Sequence, residues 1–137
     1  MSDLNKARIY ENKALNYFKY DAVEKPSNED RAYYDWKLLN KDETTYIEVK
    51  ADFMGSKTGN FACEIEYNNE PSGISHTKAN YYVIFVIGQM TEVVYIVPTD
   101  ELRDISKDCK TIKGGDGYKS KMHLVPLTKL KQFIHNY

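Results

Sequence analysis

Cysteine is scarce in this chain. Its 137 residues hold two, Cys63 and Cys109, at no metal-ligand spacing, so neither a disulfide framework nor a zinc site is implied. No apolar run approaches the roughly 20 residues of a membrane span. The longest, Tyr81 to Gly88, is strand-sized, and the N-terminus lacks the basic-then-apolar pattern of a secretory signal. A cytoplasmic chain with no membrane partner is expected. An excess of charge of one sign is also missing. The 19 basic and 20 acidic residues leave a net charge of −1, which argues against a strongly basic histone-like binder. His76, His123 and His135 have no acid or nucleophile at a diagnostic spacing, so they suggest no covalent route. The stretch Gly55 to Asn60 lacks phosphate-loop spacing, and no nucleotide cofactor is expected.

What is present is enough apolar material for one core. Hydrophobic residues make up 42% of the chain and aromatic residues 13%, with no repeat and no dividing linker, so residues 1–137 read as a single domain. Charge is unevenly placed along it. Residues 1–101 hold 11 basic and 17 acidic side chains, whereas residues 102–137 hold 8 and 3. Such a division suits a metal ion and a polyanion bound side by side, and it equally suits a mixed solvated surface.

Leu4, Ala7, Ala14, Leu15 and Phe18 recur at helical spacing, with Ser2 or Asp3 as the cap, which predicts a helix over 3–20. Glu11 falls on its apolar stripe, either at the edge or facing something positive. Ala32 to Leu39 and Thr44 to Ala51 alternate and are rich in aromatic and β-branched residues, joined by the polar link Asn40 to Glu43: a β-hairpin. Gly55 to Asn60 reads as a loop, Phe61 to Tyr67 as a third strand and Gly73 to Asn80 as a short helix. Tyr81 to Ile87 is continuously apolar, as a central strand covered on both faces requires. A strand over 92–97, a helix over 100–107, a loop over 113–121, a short strand over 122–125 and a closing helix follow.

A turn through Asn40 to Glu43 pairs Leu39 with Thr44 and sets Asp35 opposite Glu48, with Lys50 on the same face. Like charges at opposed β-positions are destabilising unless something offsets them. A divalent cation offsets them, as does a solvated face on which Lys37 and Lys50 balance the two carboxylates. A register shift of one residue places the carboxylates on different faces. Trp36, Leu38, Ile47 and Val49 occupy the other, core-facing side.

Asp35, then Glu48, Val49 and Lys50 after a short hairpin, preceded by a helix with Glu11 and followed by a strand, a helix and an apolar strand, resembles the PD-(D/E)XK nuclease superfamily over residues 4–97. The tract from Thr58 to Tyr82 looks like what small phage-encoded nucleases of this type carry. Tyr34, not proline, precedes Asp35, a departure from the pattern. The resemblance implies an α/β fold of restriction-endonuclease-like type, a mixed β-sheet flanked by helices with an αβββαβ core. It implies DNA phosphodiester hydrolysis with Mg²⁺ or Mn²⁺ held by Asp35, Glu48 and the Val49 carbonyl, Lys50 orienting the attacking water, and Glu11 as an added first-helix carboxylate. Glu64 would supplement the metal site if its strand lay beside Glu48. The expected DNA contacts are Lys57, Thr58 and Asn60, the run Ser75, His76, Thr77 and Lys78, and Lys119 and Lys121 around Tyr118. A homodimer is expected by the same resemblance. The competing reading is a nuclease-fold module that binds DNA or protein without catalysis.

Overall fold

The computed structural model describes residues 3–135, so Ser2 as a cap lies outside the described residues. The first helix, α1 (Asp3–Ala14), is shorter than its periodicity predicts, and a 3₁₀ turn (Leu15–Tyr17) completes it. Asn16, Tyr17 and Phe18 are weak helix formers, and the tighter turn lets Tyr17 reach Phe85 and Phe18 reach Tyr81, with ring centres 6.1 and 6.0 Å apart. The buried face of α1 is also not the expected stripe. Leu4 is 61% exposed, while Tyr10 packs on Phe85 at 5.0 Å and Ala14 is fully buried.

Two sheets form the body. The larger contains β1 (Ala22–Glu24), β2 (Trp36–Asn40), β3 (Glu43–Asp52), β6 (Tyr81–Ile87) and β7 (Glu92–Pro98) in the order β1-β2-β3-β6-β7. It is mixed, because β3 and β6 run parallel while the other neighbours are antiparallel. The smaller sheet, antiparallel throughout, has the order β5-β4-β9-β8 from β4 (Asn60–Tyr67), β5 (Glu70–Pro71), β8 (Lys110–Gly114) and β9 (Ser120–Pro126). This is the α/β class the sequence predicts, a mixed sheet flanked by helices, with the third strand carried off into a second sheet.

Period-two alternation on β6 divides the core. Val83 and Phe85 join Ile47, Val49, Trp36 and Leu38 beneath α1. Tyr82, Ile84 and Val86 face the other way, against Phe61 and Cys63 of β4, Val125 of β9 and Leu102 of α3 (Thr99–Ser106). Val83, Ile84 and Phe85 are fully buried, as expected of a strand covered on both sides.

Several local expectations change. Ala32 to Asp35 lie outside the strand, which starts at Trp36. Gly55 to Thr58 make one helical turn, α2, closed by Gly59 at φ 76°, a conformation glycine reaches without steric cost. The segment after β5 contains only a 3₁₀ turn (Gly73–Ser75), and a 3₁₀ segment (Leu127–Phe133) replaces the closing helix. The glycine- and lysine-rich loop is shorter than 113–121: β8 and β9 pair from Lys110↔Leu124 to Gly114↔Ser120, and 115–119, with a 3₁₀ turn (Asp116–Tyr118), join them.

Candidate active site

The hairpin register is the one that the four-residue link predicts. Leu39 pairs with Thr44 and Trp36 with Ile47, and Asn40↔Glu43 closes the turn. Beyond Trp36 the chain leaves the sheet, and the Asp35 N–H donates the last rung to the Ile47 carbonyl at 2.8 Å. The side chain of Asp35 then takes the next place along β3: its Oδ2 accepts the Val49 N–H at 2.7 Å. A strand residue's N–H and C=O leave on the same edge. The Val49 carbonyl therefore emerges beside the Asp35 carboxylate, on an edge that β2 no longer covers.

Glu48 and Lys50 alternate with the core residues Ile47 and Val49 and so face the smaller sheet, level with Tyr82 and Ile84. Lys50 Nζ stands 3.5 Å from Glu48 Oε1; the Glu48 side chain is 16% exposed and that of Lys50 42%. Glu48 is thus mostly shielded from water, while the lysine reaches an open cleft of about 380 Å³ lined also by Glu64, Ser72, His76 and Tyr82.

The electrostatics follow from this crowding. Burial, then the neighbouring Asp35 charge, pushes the Glu48 carboxyl up to about 7 against the pull of Lys50. Burial also raises Asp35, partly offset by the Val49 N–H, Lys50 and a hydrogen bond with Glu48. Burial lowers Lys50, but Glu48, Asp35 and Glu64 outweigh it and hold the ammonium charged. Glu11 is raised by burial and then by Asp35, with Lys25 and Arg8 opposing. Both sequence readings of Glu11 thus meet: it sits half-buried, and it senses cations as well as the acidic centre.

Two neighbouring carboxyl groups, both raised by burial, next to a carbonyl on an open strand edge, form a hard-oxygen donor set. Among the described residues no cluster of three or more carboxylate, imidazole or thiolate groups is placed to hold a metal. A cation here would rest on two side chains, the Val49 carbonyl and water. That combination suits Mg²⁺, which keeps several waters and takes one or two carboxylates.

Glu64 reaches the cleft from the second sheet. Its strand pairs with β9, not β3, and the register slips between Glu64 and Glu66. Glu64 lies opposite buried Cys63 in the alternation of β4, lines the cleft beside Lys50 and helps to hold that lysine charged. Glu64 Oε2 accepts the Ser72 hydroxyl and Oε1 the Ser120 hydroxyl, both at 3.0 Å. Neither serine stands out in the sequence, because Ser120 lies 56 residues from Glu64. Gly73 lies against this bracket at φ 53°, where a Cβ would fall 2.2 Å from the Glu64 carbonyl oxygen. Gly73→Ala is expected to cost about 2–4 kcal/mol, from left-handed strain plus overpacking, as measured by denaturant unfolding.

The other expected DNA contacts divide. His76 and Thr77 line the cleft. The His76 ring stacks on Tyr33 at 4.4 Å, Lys78 Nζ lies 4.4 Å from the same ring, and the Thr77 hydroxyl donates to the Tyr33 carbonyl at 2.8 Å. Ser75 is exposed at the end of the 3₁₀ turn just before them. Lys57, Thr58 and Asn60 sit past the far end of β3, where the Thr58 hydroxyl and the Asn60 backbone N–H bond each other at 3.2 Å. Lys119 and Lys121 line a separate cleft beside Glu66.

No family model and no curated protein sequence matches the chain. Among solved structures, a bacterial homing endonuclease, I-Ssp6803I, superposes with a TM-score of 0.53 at 22% identity, covering 91% of this chain and 79% of that one. The two share a fold. No helix among the described residues is long and apolar enough to cross a membrane.

Proposed function

We propose that the chain is a metal-dependent deoxyribonuclease of PD-(D/E)XK type that hydrolyses DNA phosphodiester bonds. The observation that carries this reading is the Asp35 carboxylate seated on the Val49 N–H, beside Glu48 with Lys50 at 3.5 Å. The fold shared with a homing endonuclease supports it.

In this reading Asp35, Glu48 and the Val49 carbonyl hold Mg²⁺ or Mn²⁺, and Glu11 tunes the charge of Asp35 from α1. When bound, the cation polarises the phosphate and stabilises the developing charge on the leaving oxygen. Lys50, kept cationic by three carboxylates, orients the water that attacks phosphorus and steadies the negative charge there. Glu64, fixed by Ser72 and Ser120, supplements this centre from the second sheet. His76 and Thr77 border the strand's path, stiffened by Tyr33. Two such chains in a homodimer would address the two strands of a duplex.

Supercoiled, linear, single-stranded and branched DNA incubated with Mg²⁺, Mn²⁺ or EDTA tests the proposal. Cutting is expected with either cation, none in EDTA and none with Glu48→Ala or Lys50→Ala. Intact DNA throughout, with folded protein that does not bind Mn²⁺, would reassign the chain as a non-catalytic DNA-binding module.

A further inference from the structure

A second cleft, of about 360 Å³, opens next to the catalytic one, and Lys113, Lys119 and Lys121 converge on it. Lys113 and Lys121 are directly opposed partners on β8 and β9, and Lys119 immediately precedes β9. Like charges at opposed β-positions are destabilising. Among the described residues none of the three lysines forms an ion pair. Glu66, across from Lys121, is the one carboxylate among the residues lining the cleft. Among the described side chains these positive charges have no ion-pair partner, and an external anion would offset them.

The same cleft carries an aromatic platform. Tyr118 is 73% exposed at the apex between β8 and β9, in a left-handed backbone conformation (φ 55°). The facing turn, Asn68 and Asn69, is tied to this loop by the Asn68 N–H donating to the Lys119 carbonyl at 2.9 Å. Lysines and tyrosine are thus held by a closed hydrogen-bonded rim. Ammonium groups beside an open aromatic face match a nucleic-acid strand, with phosphates on the lysines and a base on the ring.

A hydrogen bond joins this cleft to the catalytic one. Ser120 lines the second cleft and donates to Glu64 in the first. Resting on the nuclease reading above, we infer that this cleft anchors the DNA strand to one side of the scissile bond. Tyr118 stacks on an unpaired base there, so the site prefers a single-stranded flank.

Fluorescence anisotropy with a 20-nucleotide single strand and the matching duplex, in EDTA and across a salt series, tests this. Replacing the three lysines together by Gln is expected to weaken single-strand binding at least about 10-fold at low salt. The slope of log K against log salt should fall by about 2, at about 0.7 for each phosphate no longer neutralised. Tyr118→Ala should weaken single-strand binding about 10-fold with the slope unchanged, and Tyr118→Phe should restore it. Circular dichroism checks that these surface variants fold. Wild-type affinity and slope in the lysine and Tyr118→Ala variants would overturn the anchor, as would equal Tyr118→Ala losses on duplex and single strand. Should the wild type bind DNA in this pattern yet cut nothing, the anchor stands and the nuclease reading falls. Should DNA be cut, with the lysine and tyrosine variants binding normally, the nuclease reading stands and the anchor falls.

Discussion

Glu48→Gln is expected to abolish DNA cleavage and, at the same time, to stabilise the metal-free protein at pH 8. On the proposed chemistry the missing carboxylate removes about 4 kcal/mol of charge stabilisation, about a 10³-fold fall in rate. The stability effect has its own sign. Burial and Asp35 raise the Glu48 carboxyl from 4.5 to about 7 in the folded chain. Below 4.5 both the folded and unfolded states hold the proton, and the favourable contribution is complete. As pH rises from 4.5 through 7 the unfolded chain ionises first, and that contribution is lost. Above the upper limit the folded protein carries a buried carboxylate beside another. Glutamine keeps the shape without the charge, so its thermal midpoint should match the wild type near pH 4 and exceed it at pH 8 by the equivalent of about 1–3 kcal/mol. Mn²⁺ should raise the wild-type midpoint at pH 8 and leave that of the variant nearly unmoved. A variant no more stable than wild type at pH 8 would show that the two carboxyl groups do not burden each other.

Lys50→Met should lower cleavage by about 10²–10⁴-fold while leaving cation binding intact or tighter. The amine lies 3.5 Å from Glu48, and its charge lowers the pKa of both Glu48 and Asp35. Removing it deprives the attacking water of its partner. It also removes a positive charge whose repulsion a divalent cation feels about twice as strongly as a proton does. Calorimetric titration with Mn²⁺ at pH 8, set beside the cleavage rate, separates the two roles. Cation affinity falling in step with activity would make Lys50 a support for the carboxylates and not a partner of the water.

The hairpin was legible because a local rule governs it. A polar link of fixed length sets one register, and the alternation of Trp36, Leu38, Ile47 and Val49 assigns the buried face, so the pairing from Trp36 to Asn40 follows from a few consecutive residues, whereas Asp35 falls outside the ladder and meets β3 at Val49 through its side chain. Tyr81 to Ile87 was legible for the same reason, its unbroken apolar run matching a strand buried on both faces. What depended on distant partners was hidden. Nothing within Phe61 to Tyr67 tells that it pairs with residues 120–126 and not with the hairpin. Lys110 to Gly114 is polar and lies at a sheet edge, where no apolar alternation is required, so the strand left no signal and its last two residues, Lys113 and Gly114, passed for loop. Ala22 to Glu24 is too short for a periodic signal. Tyr33 could not be matched to His76 and Lys78 either, because the contact depends on where the chain turns before β2.

The bond from the Val49 amide to Asp35 gives the centre an observer of its own. A backbone proton held by a carboxylate senses that group's charge, so its resonance frequency shifts as the carboxylate gains a proton or a cation, and its exchange with solvent slows while the bond lasts. The occupancy of the acidic centre can therefore be followed at a single nitrogen of the unaltered chain, without dye, substitution or substrate.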